Sequence, residues 1–161
     1  MIILFIYEIN NTIIYFMNSV ILSLDPIEPY KLLKKFQDTS CNLSLSGGQS
    51  VFIGYMRETN QSRGDVISMK LDYYPNMTKR YLINLGEKIK KDYKLHNVLI
   101  AHRVGDVFPD DCLVIVACWS KHRKSSIDAV KVILEDLKHN APLWKKESFS
   151  DNTSKWVEVN T

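Results

Sequence analysis

The sequence predicts an α+β domain in which helices pack on a largely antiparallel sheet. Short runs rich in β-branched residues recur along the chain and stop at turn signals such as Asp25-Pro26 and Gly105-Asp106. Two of these runs, 98–104 and 112–119, follow each other so closely that an antiparallel pair is the simplest connection. Between the runs lie stretches whose apolar residues repeat at helical spacing.

Taken in order, residues 18–24 (NSVILSL) read as a strand that Asp25-Pro26 ends. Residues 29–36 carry Tyr30, Leu32, Leu33 and Phe36 at helical spacing, which predicts a short amphipathic helix. A polar loop through Ser46-Gly47-Gly48 leads to a strand at 51–56, and a polar stretch (57–65) follows it. Residues 66–73 alternate in the manner of a half-buried strand, with Ile67, Met69, Leu71 and Tyr73 on one face. Pro75 opens a helix to about residue 91, striped by Tyr81, Leu82, Leu85 and Ile89. After the strand pair comes a helix over 124–139, with Ile127, Val130, Ile133, Leu134 and Leu137 inward, and Pro142 stops it. Residues 141–144 read as an apolar, aromatic closing turn, and 156–159 as a last edge strand.

Of the 161 residues 45% are apolar, enough for one sizeable core, and one domain is expected over 17–161. Residues 1–16 are strongly apolar but interrupted by Glu8, Asn10 and Asn11. They are too short to span a bilayer and lack the flanks of a signal peptide, so no membrane segment is expected. We read them as a non-native or disordered extension, with Met17 as the natural start. A net charge of +3 is too small for a nucleic-acid track, and the late clustering of Lys121, Arg123 and Lys124 suggests a local anion site instead. The cysteines, Cys41, Cys112 and Cys118, form no CxxC pair, which fits the reducing cytoplasm. Cys112 and Cys118 lie six positions apart and are expected on one face of a strand as small apolar residues. The four histidines lack ligand spacing, so no metal is expected.

The richest chemistry lies at Ser120-Lys121-His122-Arg123-Lys124, where a strand passes into a helix. Free backbone N–H groups and the positive end of the helix dipole favour a phosphate or carboxylate there, and His122 and Arg123 add charged donors. The alternative is a solvated basic helix start. Lys124, Lys131 and Lys138 recur every seven residues, a pattern that by itself describes a solvated flank. Lys138 stands apart because it precedes the apolar turn and Lys145 emerges just beyond it, so the two can converge on a pocket where desolvation makes a lysine a usable acid, base or nucleophile. Arg57 ends a strand and opens a loop, a common place for a binding residue. His102-Arg103 lies in an apolar strand, where a packed and satisfied histidine is the expected state.

These segments together resemble the MoaE family, the large subunit of molybdopterin synthase. The matching pieces are VFIGYMR (51–57), DYYPNM (72–77), HRVG (102–105), SKHR (120–123), LKHNAPLWKKE (137–147) and WVE (156–158), in the family's order. The resemblance covers roughly 18–159. It implies an α/β-hammerhead fold, a homodimer within a heterotetramer, and a small ubiquitin-like partner of the MoaD type whose C-terminal Gly-Gly tail carries a thiocarboxylate. It implies cyclic pyranopterin monophosphate (precursor Z) as the substrate, and no cofactor. Carried over by position, it makes Lys138 and Lys145 catalytic, and adds Tyr55, Met56, Arg57, His122, Arg123, Lys146 and Glu147 as substrate-binding residues. Asp72 and Asn76 stand where the family has glutamate and glycine, Lys124 where it has a small residue, and Asn160 where many members have arginine. Two other functions compete on the residues alone. A non-catalytic module holding an anion or protein tail would not need both lysines, and a persulfide carrier on Cys118 would need a stabilised thiolate.

Overall fold

The computed structural model of the chain describes residues 6–9, 12–15, 20–60 and 64–157. In chain order its elements are β1 (Ile6–Ile9), β2 (Thr12–Tyr15), β3 (Val20–Ser23), α1 (Pro29–Ser40), a 3₁₀ turn (Leu43–Leu45), β4 (Gly48–Tyr55), β5 (Thr59–Asn60), β6 (Gly64–Tyr73), α2 (Pro75–Asp92), β7 (Leu95–Arg103), β8 (Gly105–Val107), β9 (Cys112–Ser120), α3 (Arg123–His139), β10 (Leu143–Phe149) and β11 (Ser154–Trp156). The expected extension over 1–16 falls partly outside the described residues; within it, β1 and β2 pair as an antiparallel ribbon. Residues 158 and 159 of the expected last strand also lie outside. No helix among the described residues is long and apolar enough to cross a membrane.

The first large sheet has the order β3-β7-β9-β4, antiparallel except for the parallel β3–β7 pair. Its two central strands are apolar on both faces because both faces are covered. Val98, Ile100, Val116 and Cys118 face α2 and α3, packing on Leu82, Leu85, Ile89, Ala129 and Ile133. Leu99, Ala101, Ile115, Ala117 and Trp119 face the side of α1, where Phe36 meets the Trp119 ring at 5.4 Å. Burying a side chain such as Ile133 is worth roughly 1.5–3 kcal/mol, so these two clusters hold the domain together. In the second sheet β6 is central, with β10 and then β11 on one edge and β5 and β8 sharing the other. A cluster of Met56, Val66, Met69, Leu71, Val107 and Phe149, with Leu113 against it, joins the two sheets.

The α+β class, the antiparallel 98–104/112–119 pair and the three helices are those the sequence predicts. Several details differ. Cys112 and Cys118 do not share a face, because Tyr55 pairs with Cys112 and Gly54 with Val114. Leu113 is therefore an extra residue in β9, and such a bulge reverses the alternation beyond it. Both cysteines are still buried. A second bulge, at Ile67 opposite Ser148 and Phe149, turns Ile67 out to solvent and Val66 into the core. The expected closing turn at 141–144 is instead the entry to β10, which carries Leu143 to Phe149 along β6. In the helices, Ile127 and Tyr30 are exposed rather than inward. The buried stripe of α3 is Ser126, Ala129, Val130 and Ile133, a phase rotated from the one that apolarity suggests. Ser126 is tolerated inside because its hydroxyl donates to the Arg123 carbonyl at 2.9 Å and accepts from Ser50 at 2.9 Å.

Candidate active site

The chain runs along β9 from Cys112 to Ser120 and returns along α3 from Arg123 to His139. That reversal sorts the candidate residues to two opposite poles.

At one pole, β9 ends and α3 begins. His122 stands at the N-cap in extended conformation but makes no side-chain cap, so the first turn keeps N–H groups for a ligand. The turn is held by Ser120, whose hydroxyl donates to the His122 carbonyl at 2.7 Å. Gly47, Lys121, His122, Arg123 and Lys124 line a cleft of about 450 Å³ there. The glycine pair explains how β4 comes so near. A Cβ on Gly47 would run into the Lys121 carbonyl, and one on Gly48 would lie 3.0 Å from the Arg123 Cα. Lys124 is tied to Asp128 one helical turn on, which leaves Lys121, His122 and Arg123 as the basic groups best disposed toward the cleft.

At the other pole lie Tyr55 to Arg57, the end of α3 and β10. Tyr55 and Arg57 are exposed, whereas the Met56 side chain is only 3% exposed and belongs to the core. The Met56 backbone holds this corner: its N–H donates to the Asp111 carbonyl at 2.9 Å and its carbonyl accepts from Asp110 N–H at 3.1 Å. Lys138 ends α3 half-buried, and Lys145 and Glu147 lie half-buried on β10. Lys145 pairs with Leu71 and Glu147 with Met69, so both project on the inward face of the second sheet. Burial pushes the Lys145 ammonium below the usual lysine range; Glu147 partly offsets this, and Lys138 adds to it by repulsion. Lys146 alternates to the opposite face, where it pairs with Trp156 and its Nζ lies 5.9 Å from that ring's centroid.

Arg123 and Lys138 are fifteen residues apart on one helix. At about 1.5 Å per residue they are separated by roughly 22 Å. One chain therefore brings Lys138, Lys145 and Glu147 together, and His122 and Arg123 together with Lys121 and Lys124, but not the two groups with each other, while Tyr55 pairs with Cys112 and lies on the α1 side of the sheet. Lys121 belongs to the basic cluster that the sequence already marks as an anion site, whereas Gly47 joins the cleft without having been assigned to it; its signal is a Gly-Gly step before a strand.

His102 is 7% exposed, and its Nδ1 lies 2.6 Å from the Arg103 carbonyl. A carbonyl only accepts, so Nδ1 carries the proton and the ring is neutral with Nε2 unprotonated. Burial, reinforced by the nearby Lys145 charge and partly opposed by that hydrogen bond, pushes its pKa down to about 4. Because the folded value lies below the ordinary 6.5, the unfolded chain binds the extra proton first. The stability this ring contributes is fully present above pH 6.5 and is lost as pH falls toward 4, by about 3 kcal/mol. Urea midpoints for the wild type and His102→Gln between pH 7 and 4.5 check this: the variant should show a flatter profile. Cys118 is fully buried and its thiol is pushed up to about 12, which disfavours a persulfide-carrying thiolate.

Fold and site together define an α+β protein with two basic poles joined by one helix. The MoaE protein family matches residues 22–140, and the chain belongs to that family. It is 38% identical over 113 residues to the molybdopterin synthase catalytic subunit of Ralstonia nicotianae, a match covering 70% of this chain and 63% of that relative's length. A solved structure of molybdopterin synthase from Staphylococcus aureus superposes with a TM-score of 0.75 at 27% identity, covering 87% of this chain and 97% of that one. The fold is also shared, at a TM-score of 0.72 and 24% identity, with the Helicobacter pylori structure of a complex of subunits 1 and 2 of molybdopterin-converting factor, over 87% of this chain and 90% of that one.

Proposed function

We propose that this chain is the catalytic subunit of a molybdopterin synthase, a sulfurtransferase that receives sulfur from the thiocarboxylated C-terminus of a small MoaD-type partner. The acceptor is precursor Z, which gains two sulfurs to become the molybdopterin dithiolene. The observation that carries this reading is the half-buried Lys145 beside Lys138 and Glu147, in a chain of the MoaE family. A lysine whose ammonium is destabilised by burial and a like charge gives up its proton more readily than a solvated one and is the better suited to move a proton. It can equally stabilise the oxyanion that forms at the carrier's terminal carbonyl as sulfur leaves. Glu147 sits within interaction range to balance the pair.

In this reading the substrate phosphate binds at His122 and Arg123, with the helix N-terminus behind it. Tyr55, Met56 and Arg57 border the reacting end, Met56 through its backbone, and Lys146 lines the rim on the opposite face of β10. A single chain holds the two poles farther apart than a three-ring pterin can bridge. A homodimer, completed by two small subunits to a heterotetramer, would supply the phosphate pole of one chain to the lysine pole of the next. The setting is the cytoplasm. The catalytic domain is taken as 17–161, and a chain beginning at Met17 is expected to stay soluble, dimeric and fully active; loss of folding or activity on that truncation would refute this boundary.

The direct test is to combine the protein with a thiocarboxylated partner and precursor Z and to assay molybdopterin. For the phosphate pole, Arg123→Ala should weaken precursor binding by about 1–3 kcal/mol, the cost of losing a charge-assisted bond. Calorimetry showing unchanged affinity would remove Arg123 from the site.

A further inference from the structure

The two lysines of the site lie on different elements. Only Asn140, Ala141 and Pro142 connect the end of α3 at His139 with the start of β10 at Leu143. Where Lys145 stands against Lys138 is therefore set by how that connector is held. Two bonds give it its shape: the Asn140 N–H donates to the Asp136 carbonyl at 2.8 Å, and the Leu143 N–H to the Ala141 carbonyl at 2.7 Å. Neither bond fixes its place.

The place is fixed from α2. Tyr74 at its N-cap, then Thr78 and Tyr81, follow one another at four and three residues, which sets them in one row along the helix. Each of the three meets the lysine-bearing segment. The Tyr74 ring meets the Trp144 ring edge-on with centroids 5.5 Å apart. The Thr78 hydroxyl donates to the Pro142 carbonyl at 2.9 Å, and the Tyr81 hydroxyl donates to the Asp136 carboxylate. Asp136 lies two residues before Lys138 and Trp144 one before Lys145, so the row brackets both lysines with Thr78 at its middle. Threonine is a poor helix former, and inside a helix its hydroxyl commonly bonds back to a carbonyl one turn earlier. Here the fully buried Thr78 reaches out of α2 to a residue 64 positions away. Pro142 stands just before β10 begins to pair with β6, at Leu143 and Tyr73, so this bond fastens the strand where it leaves the connector.

We propose that Thr78 and Tyr81 are positioning residues for the lysine pair. Thr78, by holding the Pro142 carbonyl, sets where β10 starts and hence where Lys145 stands. Tyr81, by holding Asp136, fixes the last turn of α3 and with it Lys138. The role rests on the enzymatic reading given above, but the fastening itself can be measured without turnover.

The test compares, in the full-length protein, Thr78→Val, which keeps the shape and loses the hydroxyl, with Thr78→Ser, which keeps the hydroxyl. Ile89→Val trims the buried core side of the same helix and controls for stability lost without loss of the bond. Amide hydrogen exchange at Leu143 should rise roughly five- to tenfold in Thr78→Val, the worth of one hydrogen bond, and stay at the wild-type rate in the other two. The second readout is the single-turnover rate constant with a thiocarboxylated partner, which does not depend on how much of the sample is folded. Thr78→Val should lower it roughly ten- to a hundredfold, the cost of a small misplacement of a reacting group, while Thr78→Ser and Ile89→Val stay within about twofold of the wild type. On top of Lys145→Ala, Thr78→Val should change the residual rate less than about twofold, because the group it positions is gone. Tyr81→Phe removes one hydroxyl from a half-buried ring and serves should Thr78→Val not fold; it too should slow the single turnover, by about tenfold. Unchanged exchange or an unchanged rate in Thr78→Val, an equal loss in Thr78→Ser, a full-sized loss on top of Lys145→Ala, or a wild-type rate in Tyr81→Phe overturns the proposal. If the wild type makes no molybdopterin, the enzymatic reading fails and takes the positioning role with it, while the exchange still decides the fastening.

Discussion

Lys138→Ala should abolish molybdopterin formation, and Lys145→Ala should reduce it severely, each by roughly 10²–10⁴-fold, the range for losing a general acid–base or an oxyanion-stabilising group. Both side chains are only half-buried, Lys138 in the last turn of α3 and Lys145 near the start of β10, so neither truncation opens a core cavity. Melting temperatures should therefore stay close to the wild type while single-turnover rates with a thiocarboxylated partner collapse. Arginine variants separate the two chemical roles. Arginine keeps a positive charge but does not give up its proton at accessible pH. Lys145→Arg should retain part of the rate if the residue stabilises an oxyanion, and none if it shuttles a proton. Near-normal turnover in both alanine variants would remove the lysines from the mechanism.

Much of this site is legible in the sequence because it hangs on features with strong local physics. The His122-Arg123 pair is marked by a strand-to-helix step, where orphan N–H groups must collect. Lys138 and Lys145 are marked by the apolar, aromatic residues around them. The disposition of neighbours is less legible. Reading 141–144 as a turn makes Lys145, Lys146 and Glu147 one cluster, whereas a strand through Leu143–Phe149 sends Lys146 to the other face. Nothing local forces that strand; it forms because β6 offers an edge for it, a contact distant in sequence. The bulges at Leu113 and Ile67 are similar, since each is set by the partner strand. They move Cys112 and Ile67 to faces that simple alternation does not give them. Ile127 is exposed for another reason: the small residues Ser126 and Ala129 let α3 lie close on the sheet, and that contact chooses the helix phase.

Mixing two impaired variants, assayed at precursor concentrations too low to saturate Arg123→Ala, should restore activity, and this follows from the length of α3. With Arg123 and Lys138 roughly 22 Å apart along one helix, a site that needs both must draw them from different chains. Arg123→Ala and Lys138→Ala, each inactive or weak as a homodimer, are therefore expected to complement when dissociated together and reassembled. In a hybrid dimer one composite site would receive an intact Arg123 and an intact Lys138, while the other would carry both defects. With random pairing half of the dimers are hybrid, so recovery should approach about a quarter of wild-type activity. A site contained within one chain predicts the opposite, because every site in every hybrid would then keep one defect and the mixture would be no more active than its parts. Lys138→Ala mixed with Lys145→Ala is the internal control. Those residues share one pole of one chain, so no hybrid site holds both intact, and no recovery should appear. Recovery in the control, or its absence with Arg123→Ala, would refute the assembly of the two poles across a dimer.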